Sequence, residues 1–95
     1  MRDGLKILKL PGYYGPTRIG WVKRISGDEY VLLPGHRAVW RTSGSRLLEH
    51  IAADGPGEDH DMGEPSKVED EINRLLVWRA IPADEKAWAK YVERP

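Results

Sequence analysis

Four arginines in the first half of the chain are the residues whose spacing best suits chemistry. They are Arg18, Arg24, Arg37 and Arg41, and Tyr13, Tyr14, Trp21 and Trp40 lie in the same half. On alternating strands these arginines would share one face of a sheet, with Val22 and Val39 between them. Guanidinium groups could follow phosphates while aromatic rings stack on bases, so one interpretation of the pattern is a nucleic-acid interface. The alternative is an ordinary solvated sheet face, with both tryptophans in the core.

A second candidate is the stretch Arg-Thr-Ser-Gly-Ser-Arg from Arg41 to Arg46, just before a predicted helix. Free N–H groups at a helix N-terminus attract anions, and two flanking arginines would strengthen that attraction. The stretch lacks the glycine and lysine spacing of a phosphate-binding loop. A strand-to-helix turn in which Ser45 caps the helix explains the same residues.

Acidic and imidazole side chains gather between residues 55 and 65, where a metal could be sought. The segment contains Glu58, Asp59, His60, Asp61 and Glu64 among three glycines and two prolines. Calcium loops place oxygen ligands at alternate positions and end in a bidentate glutamate, and that register is absent. We therefore predict a mobile, solvated loop that binds no metal.

No residue pattern predicts catalysis. His36, His50 and His60 do not form a His-Glu-x-x-His pair, no serine lies in a Gly-x-Ser-x-Gly elbow, and the chain has no cysteine. The sequence therefore predicts a non-enzymatic protein without a catalytic, cofactor or metal site.

The first half of the chain alternates apolar and polar residues as strands do. Residues 17–26, 29–33 and 36–42 have this pattern, and residues 5–10 can add a fourth strand. Gly27-Asp28 and Pro34-Gly35 supply the turns between them. These residues predict a three- to four-stranded antiparallel meander over residues 5–42.

The second half has helical spacing of apolar residues and helix-start signals. Ser45 begins a predicted helix over 46–54, Ser66 and Glu69 form a capping box for one over 67–80, and Asp84 begins one over 85–93. Residues 75–81 could instead be a buried strand, since a short apolar run fits both. Two or three helices should therefore pack on the meander as one α+β domain spanning residues 1–95. We expect the shared core to contain Trp21, Trp40, Leu47, Ile51, Ile72, Leu75 and Trp88.

Composition agrees with one small folded domain. Of the 95 residues, 40% are apolar and 32% are charged, with a formal net charge of zero, which disfavours disorder. Residues 1–47 carry nine bases and three acids, whereas residues 48–95 carry six bases and twelve acids. That asymmetry fits nucleic-acid binding or packing of the two halves against each other. Lys6 and Lys9 interrupt the first apolar residues, so we expect no signal peptide, no membrane span and a cytoplasmic protein.

The order of short motifs over residues 37–88 resembles that of small uncharacterised phage and prophage proteins. The motifs are Arg-Ala-Val-Trp-Arg from residue 37, Leu-Leu-Glu-His-Ile-Ala-Ala-Asp-Gly-Pro from residue 47, Arg-Ala-Ile-Pro from residue 79, and Ala87-Trp88. The resemblance implies a viral accessory role in the host cytoplasm and assigns no catalytic residue. We therefore expect an accessory or structural protein that acts by contact with another protein or with itself. Nucleic-acid binding through the arginine face is the alternative.

Overall fold

The structure is a computed structural model that describes residues 4–10, 17–26 and 29–95. The side chains of Arg24, Ile25, Ser26 and Arg74 lie outside the described part, as do Tyr13, Tyr14 and the predicted Gly27-Asp28 turn. Seven strands form one antiparallel sheet, accompanied by two short α-helices and one 3-10 helix. The elements are β1 Gly4–Lys9, β2 Thr17–Ser26, β3 Glu29–Leu32, β4 Arg37–Arg41, α1 Leu48–Asp54, β5 His60–Met62, β6 Asp70–Asn73, the 3-10 helix Arg74–Leu76, β7 Arg79–Pro82 and α2 Glu85–Trp88.

Strand β2 is the centre of the sheet and pairs with three other strands. One edge of β2 pairs with β1, and the other edge pairs with β4 near its start and with β3 near its end. Strands β3 and β4 therefore form one long strand, broken where Pro34 and Gly35 bulge away from β2. Leu33 N–H still donates to Trp21 O at 2.9 Å, and Gly35 then adopts a φ of 101°. Pro34-Gly35 is thus an interruption within a strand, and the predicted meander is wrong.

The predicted helix over residues 67–80 is also wrong, because two strands and a 3-10 helix occupy that segment. Strand β6 pairs with the outer edge of β3, and β7 pairs with the outer edge of β1. Each strand satisfies a row of backbone hydrogen-bonding groups that would otherwise remain at the sheet edge. The fold is consequently mostly β, and the predicted α+β arrangement of a meander under two or three long helices is contradicted.

The two helices that do form are shorter than predicted. Helix α1 begins after Leu47, whose N–H donates to His50 Nδ1 at 3.0 Å, so Ser45 is not its cap. Helix α2 is a single turn after Asp84, replacing the predicted helix over 85–93. Both pack on one face of the sheet, where they help form the first of two cores.

The helix-side core lies between that face of the sheet and the two helices. Trp88 of α2 is completely buried, and its indole N–H donates to Ile51 O at 3.0 Å and to Ala52 O at 3.2 Å. This contact joins α2 to α1 through the backbone of the last turn of α1. The buried members of the helix-side core are Leu5, Ile7, Ile19, Val39, Ile51, Ala52, Trp88 and Val92.

The opposite core lies on the other face of the sheet. Its buried members are Leu8, Val22, Tyr30, Leu32 and Ile72, with Leu10 and Val77 packed against them. These buried residues come from β1, β2, β3 and β6, which are successive neighbours in the pairing order. Both faces of the central strands are therefore apolar, which is why Ile7 and Leu8 are both fully buried in spite of being consecutive.

The predicted burial is confirmed at Ile51, Ile72 and Trp88, although Ile72 belongs to the opposite core and not to a core shared with the helices. It is wrong at Trp40, Leu47 and Leu75, whose side chains are 50%, 56% and 75% exposed. Trp21 is partly buried beside the helix-side core. On β4 the strand phase is shifted by one residue, since Val39 points into the helix-side core and its neighbour Trp40 points away.

Candidate functional site

The four arginines predicted to share a sheet face are not all brought together. Arg18 lies opposite Ala38 in the β2–β4 register, whereas Arg37 lies opposite Ile19. Because neighbouring residues on a strand point to opposite faces, Arg18 lies on the side of the opposite core and Arg37 on the side of the helices. Arg41 is exposed at the end of β4.

Arg18 is used inside the protein, in a chain of hydrogen bonds through a buried histidine. Its Nε donates to His36 Nδ1 at 2.9 Å, and His36 Nε2 lies 3.1 Å from Val68 O. A guanidinium can only donate, so Nδ1 is the acceptor and the imidazole proton is on Nε2, which donates to Val68 O. Burial, followed by the charge of Arg18, lowers the pKa of His36. His36 is therefore a neutral connection between β2 and the segment before β6.

Arg37 is also used inside the protein, on the other face of the sheet. Its Nε donates to Gly63 O at 2.6 Å and its Nη1 donates to Tyr91 O at 3.2 Å. These bonds join β4 to the segment after β5 and to the turn that follows α2. Arg18 and Arg37 thus have structural partners, while nucleic-acid binding by the predicted arginine set stays a prediction.

The predicted anion site at the start of the first helix contains an anion from the same chain. Arg46 Nε and Nη2 donate to the two carboxylate oxygens of Asp59 at 2.8 and 2.6 Å, which is a bidentate pair. The hydrogen bond from Arg46 holds the pKa of the Asp59 carboxyl well below its ordinary value. Gly57 permits this approach, because a Cβ there would lie 2.7 Å from Arg46 Nη2.

The acidic segment over residues 55–65 contains an ordered element, since β5 pairs with β4 within it. Its His60 is buried, and Nδ1 lies 3.1 Å from Asp59 Oδ1 without hydrogen-bond geometry. His60 and Arg37 line an open cavity of about 450 Å³ together with Glu58, Asp61 and Tyr91. Within the described residues, no group of three or more histidine, aspartate or glutamate side chains is arranged to hold a metal ion. Motion of this segment stays a prediction.

Three large apolar side chains that lie close together in sequence are exposed, namely Leu75, Leu76 and Trp78. We call these three residues the 75–78 patch; their exposed fractions are 75%, 56% and 66%. The backbone beneath them is fixed at both ends, because Leu75 N–H bonds to Asn73 Oδ1 and Trp78 N–H bonds to Lys9 O, each at 2.9 Å. Val77 between them packs against the opposite core. The patch is therefore held in place by one partly buried residue and two hydrogen bonds.

Sequence reasoning missed this patch because it assigned Leu75 to the core. A signal was present in the run Leu75-Leu-Val-Trp78, which has four consecutive large apolar residues. A strand or a helix at the surface can bury only part of such a run, since its side chains point in several directions. Some of these four side chains had to be exposed in any surface element.

Comparisons of the chain with protein-family models, with curated proteins and with solved structures give no match. Among the described residues, no helix combines the length and the apolar character needed to cross a membrane.

Proposed function

We propose that this chain is a small protein-binding module whose contact surface is the 75–78 patch. The observation that supports it is the exposure of three large apolar side chains within four positions, on a backbone fixed by Val77 and by hydrogen bonds at both ends. Large exposed apolar clusters on soluble proteins mark interaction surfaces more often than isolated apolar residues do. Such a role agrees with the accessory function that the resemblance to phage proteins implies.

The fixed backbone of the patch favours binding. A preformed surface loses little conformational entropy when a partner docks, so more of the burial free energy contributes to affinity. Tryptophan is also the residue type most enriched among side chains that dominate interface energies. Trp78 is accordingly the residue from which we expect the largest contribution.

Contact should occur through side chains and not by addition of a strand to β7. Ala83 N–H donates to Leu5 O on β1, so alternation directs the backbone nitrogen of residue 82 toward the open edge of β7. Residue 82 is proline, which has no N–H to donate, and an edge with a missing donor is a poor template for a further strand.

The charges beside the patch indicate the chemistry of the partner. Glu69 precedes β6, Asp70 and Glu71 lie on β6, and all three side chains are exposed. On the β7 side, Arg79 already pairs with Glu49 of α1, and Lys9, the register partner of Arg79, is partly buried. A partner with apolar residues at its centre and lysine or arginine at its rim would therefore match the surface.

Random-peptide display tests the proposal when the immobilised protein is the bait and a Leu76→Ser, Trp78→Ser double variant is used for counter-selection. Selected peptides should combine apolar and basic residues. Their affinity, measured by calorimetry, should fall at least about thirty-fold in the double variant, as expected for loss of a dominant interface side chain.

A Trp40→Ser variant is the matched control, because Trp40 is also half exposed but lies on β4. Peptides that bind the double variant and the wild type equally would contradict the proposal.

Sedimentation velocity should show a monomer at micromolar concentration. A dimer that dissociates in the double variant would instead identify the partner as a second copy of the chain.

A further inference from the structure

Trp21 has an unsatisfied polar group that neither the fold nor the 75–78 patch explains. Its side chain packs partly against the helix-side core, and its indole Nε1 is fully buried. Nε1 has no hydrogen-bond partner among the residues that the structure describes. Buried donors of this kind are rare in folded proteins, and each calls for a physical explanation such as a missing acceptor.

Two neighbouring cavities meet at Trp21. The larger has a volume of about 380 Å³ and an apolar floor that includes Leu5, Ala89 and Val92. The smaller has a volume of about 290 Å³ and includes Lys23. Trp21, Glu85 and Arg94 line both cavities, which together are called the groove below.

The basic side chains of this groove outnumber the acidic ones. Lys86 lines the larger cavity, Lys23 lines the smaller, and Arg94 lines both, against Glu85 as the acid common to them. The Arg94 guanidinium lies over the Trp21 ring, 5.4 Å from its centroid. Arg94 Nη1 is 3.8 Å from Glu85 Oε2, and these two side chains are 77% and 53% exposed. An exposed ion pair of that length is weak, so Arg94 can leave the ring at little cost.

We propose that this groove binds a carboxylate attached to an apolar body. In the bound state the carboxylate accepts a hydrogen bond from Trp21 Nε1 and pairs with Arg94 and Lys86. The apolar body then contacts Ala89 and the part of the Trp21 ring that the helix-side core leaves uncovered. A cationic ligand would be repelled by the three bases and could pair only with Glu85, and an uncharged ligand would gain no attraction from the bases. Two sources share this chemistry, namely a free short-chain acid and the C-terminal carboxylate of a peptide ending in an apolar residue.

Proton–nitrogen correlation spectra of the whole chain test the site directly, because each indole N–H gives its own signal. Hexanoate should move the Trp21 indole signal downfield in a saturable titration while the signals of Trp40, Trp78 and Trp88 stay in place. Hexylamine and hexanol are the matched ligands that lack the carboxylate, and they should produce smaller shifts. The proposal is overturned if either of them shifts the Trp21 signal as far as hexanoate does.

A peptide arm separates the two sources. The tetrapeptide Gly-Gly-Ala-Leu is titrated with a free and with an amidated C-terminus. Binding of the free form together with hexanoate supports a general carboxylate site, and binding of the free peptide alone supports a site for peptide C-termini. If neither hexanoate nor the free peptide moves the Trp21 signal at millimolar concentration, the groove does not bind carboxylates.

An Arg94→Gln variant should weaken the binding of whichever ligand is active by about two- to five-fold, the range expected for one exposed ion pair. Arg41→Gln removes another exposed arginine and should leave the affinity unchanged. A Trp21→Phe variant keeps an aromatic ring but removes the donor, so binding should weaken further while the spectrum of the remaining residues stays that of a folded protein. Equal affinity in wild type, Arg94→Gln and Trp21→Phe would overturn the assignment.

Discussion

The two cores of this protein are closed in different ways, although they lie on two faces of the same sheet. The helix-side core is covered by α1 and α2, and Trp88 connects them from within through hydrogen bonds to the α1 backbone. The opposite core receives no residue from α1 or α2, and Leu10 and Val77 pack against its buried members. The residues around Val77 are exposed, namely Leu75 and Leu76 of the 3-10 helix and Trp78 after it.

This difference explains where an interaction surface can arise. The two helices place Ile51, Ala52 and Trp88 in the helix-side core, where all three are buried. The 3-10 helix and the two residues after it direct only Val77 toward a core, whereas Leu75, Leu76 and Trp78 remain exposed. The thinner cover therefore leaves apolar residues available to a partner, and substitutions on the two sides should differ in their effects.

The largest expected effect is on the helix-side core. Trp88→Ala removes a fully buried indole and both of its hydrogen bonds, and we expect a loss of about 3–5 kcal/mol in the free energy of unfolding. Trp78→Ala removes the same side chain from the 75–78 patch, where it is 66% exposed, and should change stability by about 0.5 kcal/mol or less. Urea denaturation of the two variants makes the comparison. Equal losses would mean that Trp78 is part of a core and that the patch is not a free surface.

The next effect concerns the packing beside the opposite core. Gly20 lies under His36, and a Cβ at position 20 would be 2.6 Å from His36 Cβ. Gly20→Ala should therefore displace His36 and cost about 1–3 kcal/mol, as overpacking typically does. Gly4 is the matched control on β1, because a Cβ there meets no atom within 4 Å. Thermal denaturation should separate the two variants, and a Gly20→Ala protein as stable as Gly4→Ala would show that the histidine is loosely packed.

Local signals predicted the parts of the fold that local chemistry decides. Alternation located β2 and β4, and helical spacing located α1 within a few residues. The segment after residue 65 was different, because Ser66 Oγ accepts from Val68 N–H at 3.3 Å and forms a turn in place of a helix cap. The strands β6 and β7 form because β3 and β1 offer free edges, and those edges lie far away in sequence. No pattern within residues 67–82 contains that information.

The prediction of site residues failed for the same reason, because the sequence does not show which residues of two strands pair. Alternation shows which residues share a face within one strand, but not how two strands align. Arg18 and Arg37 were placed together on that basis, and the pairing of Arg37 with Ile19 puts them on opposite faces. The orphan indole of Trp21 depends on tertiary packing alone, so no sequence signal could have identified it. The 75–78 run, in contrast, was visible as an apolar excess.

A smaller effect is expected from pH, and it should arise on the side of the opposite core. His36 has a lowered pKa in the folded protein, so below the ordinary histidine value of 6.5 the unfolded chain binds more protons than the folded one. Stability should consequently be complete above that pH and decrease as pH falls below it. Urea denaturation between pH 7.5 and 5.5 should show this slope, and His36→Gln should reduce it. A variant with the wild-type slope would assign the effect to another group.

The smallest effect is expected in the binding of nucleic acid. A binding measurement tests whether the two faces of the sheet together act as a basic surface. The chain has no net charge, and Arg18 and Arg37 donate to groups of the same chain on opposite faces. We therefore expect binding to a single-stranded oligonucleotide no tighter than the range of about 10⁻⁴ to 10⁻⁶ M for non-specific contacts. Fluorescence anisotropy at two salt concentrations measures it, since four phosphate contacts would give a slope of about −3 in log affinity against log salt. Submicromolar binding with that slope would contradict this expectation. If an Arg24→Glu, Arg41→Glu variant remained folded and lost the binding, the interface would not need Arg18 and Arg37 on one face.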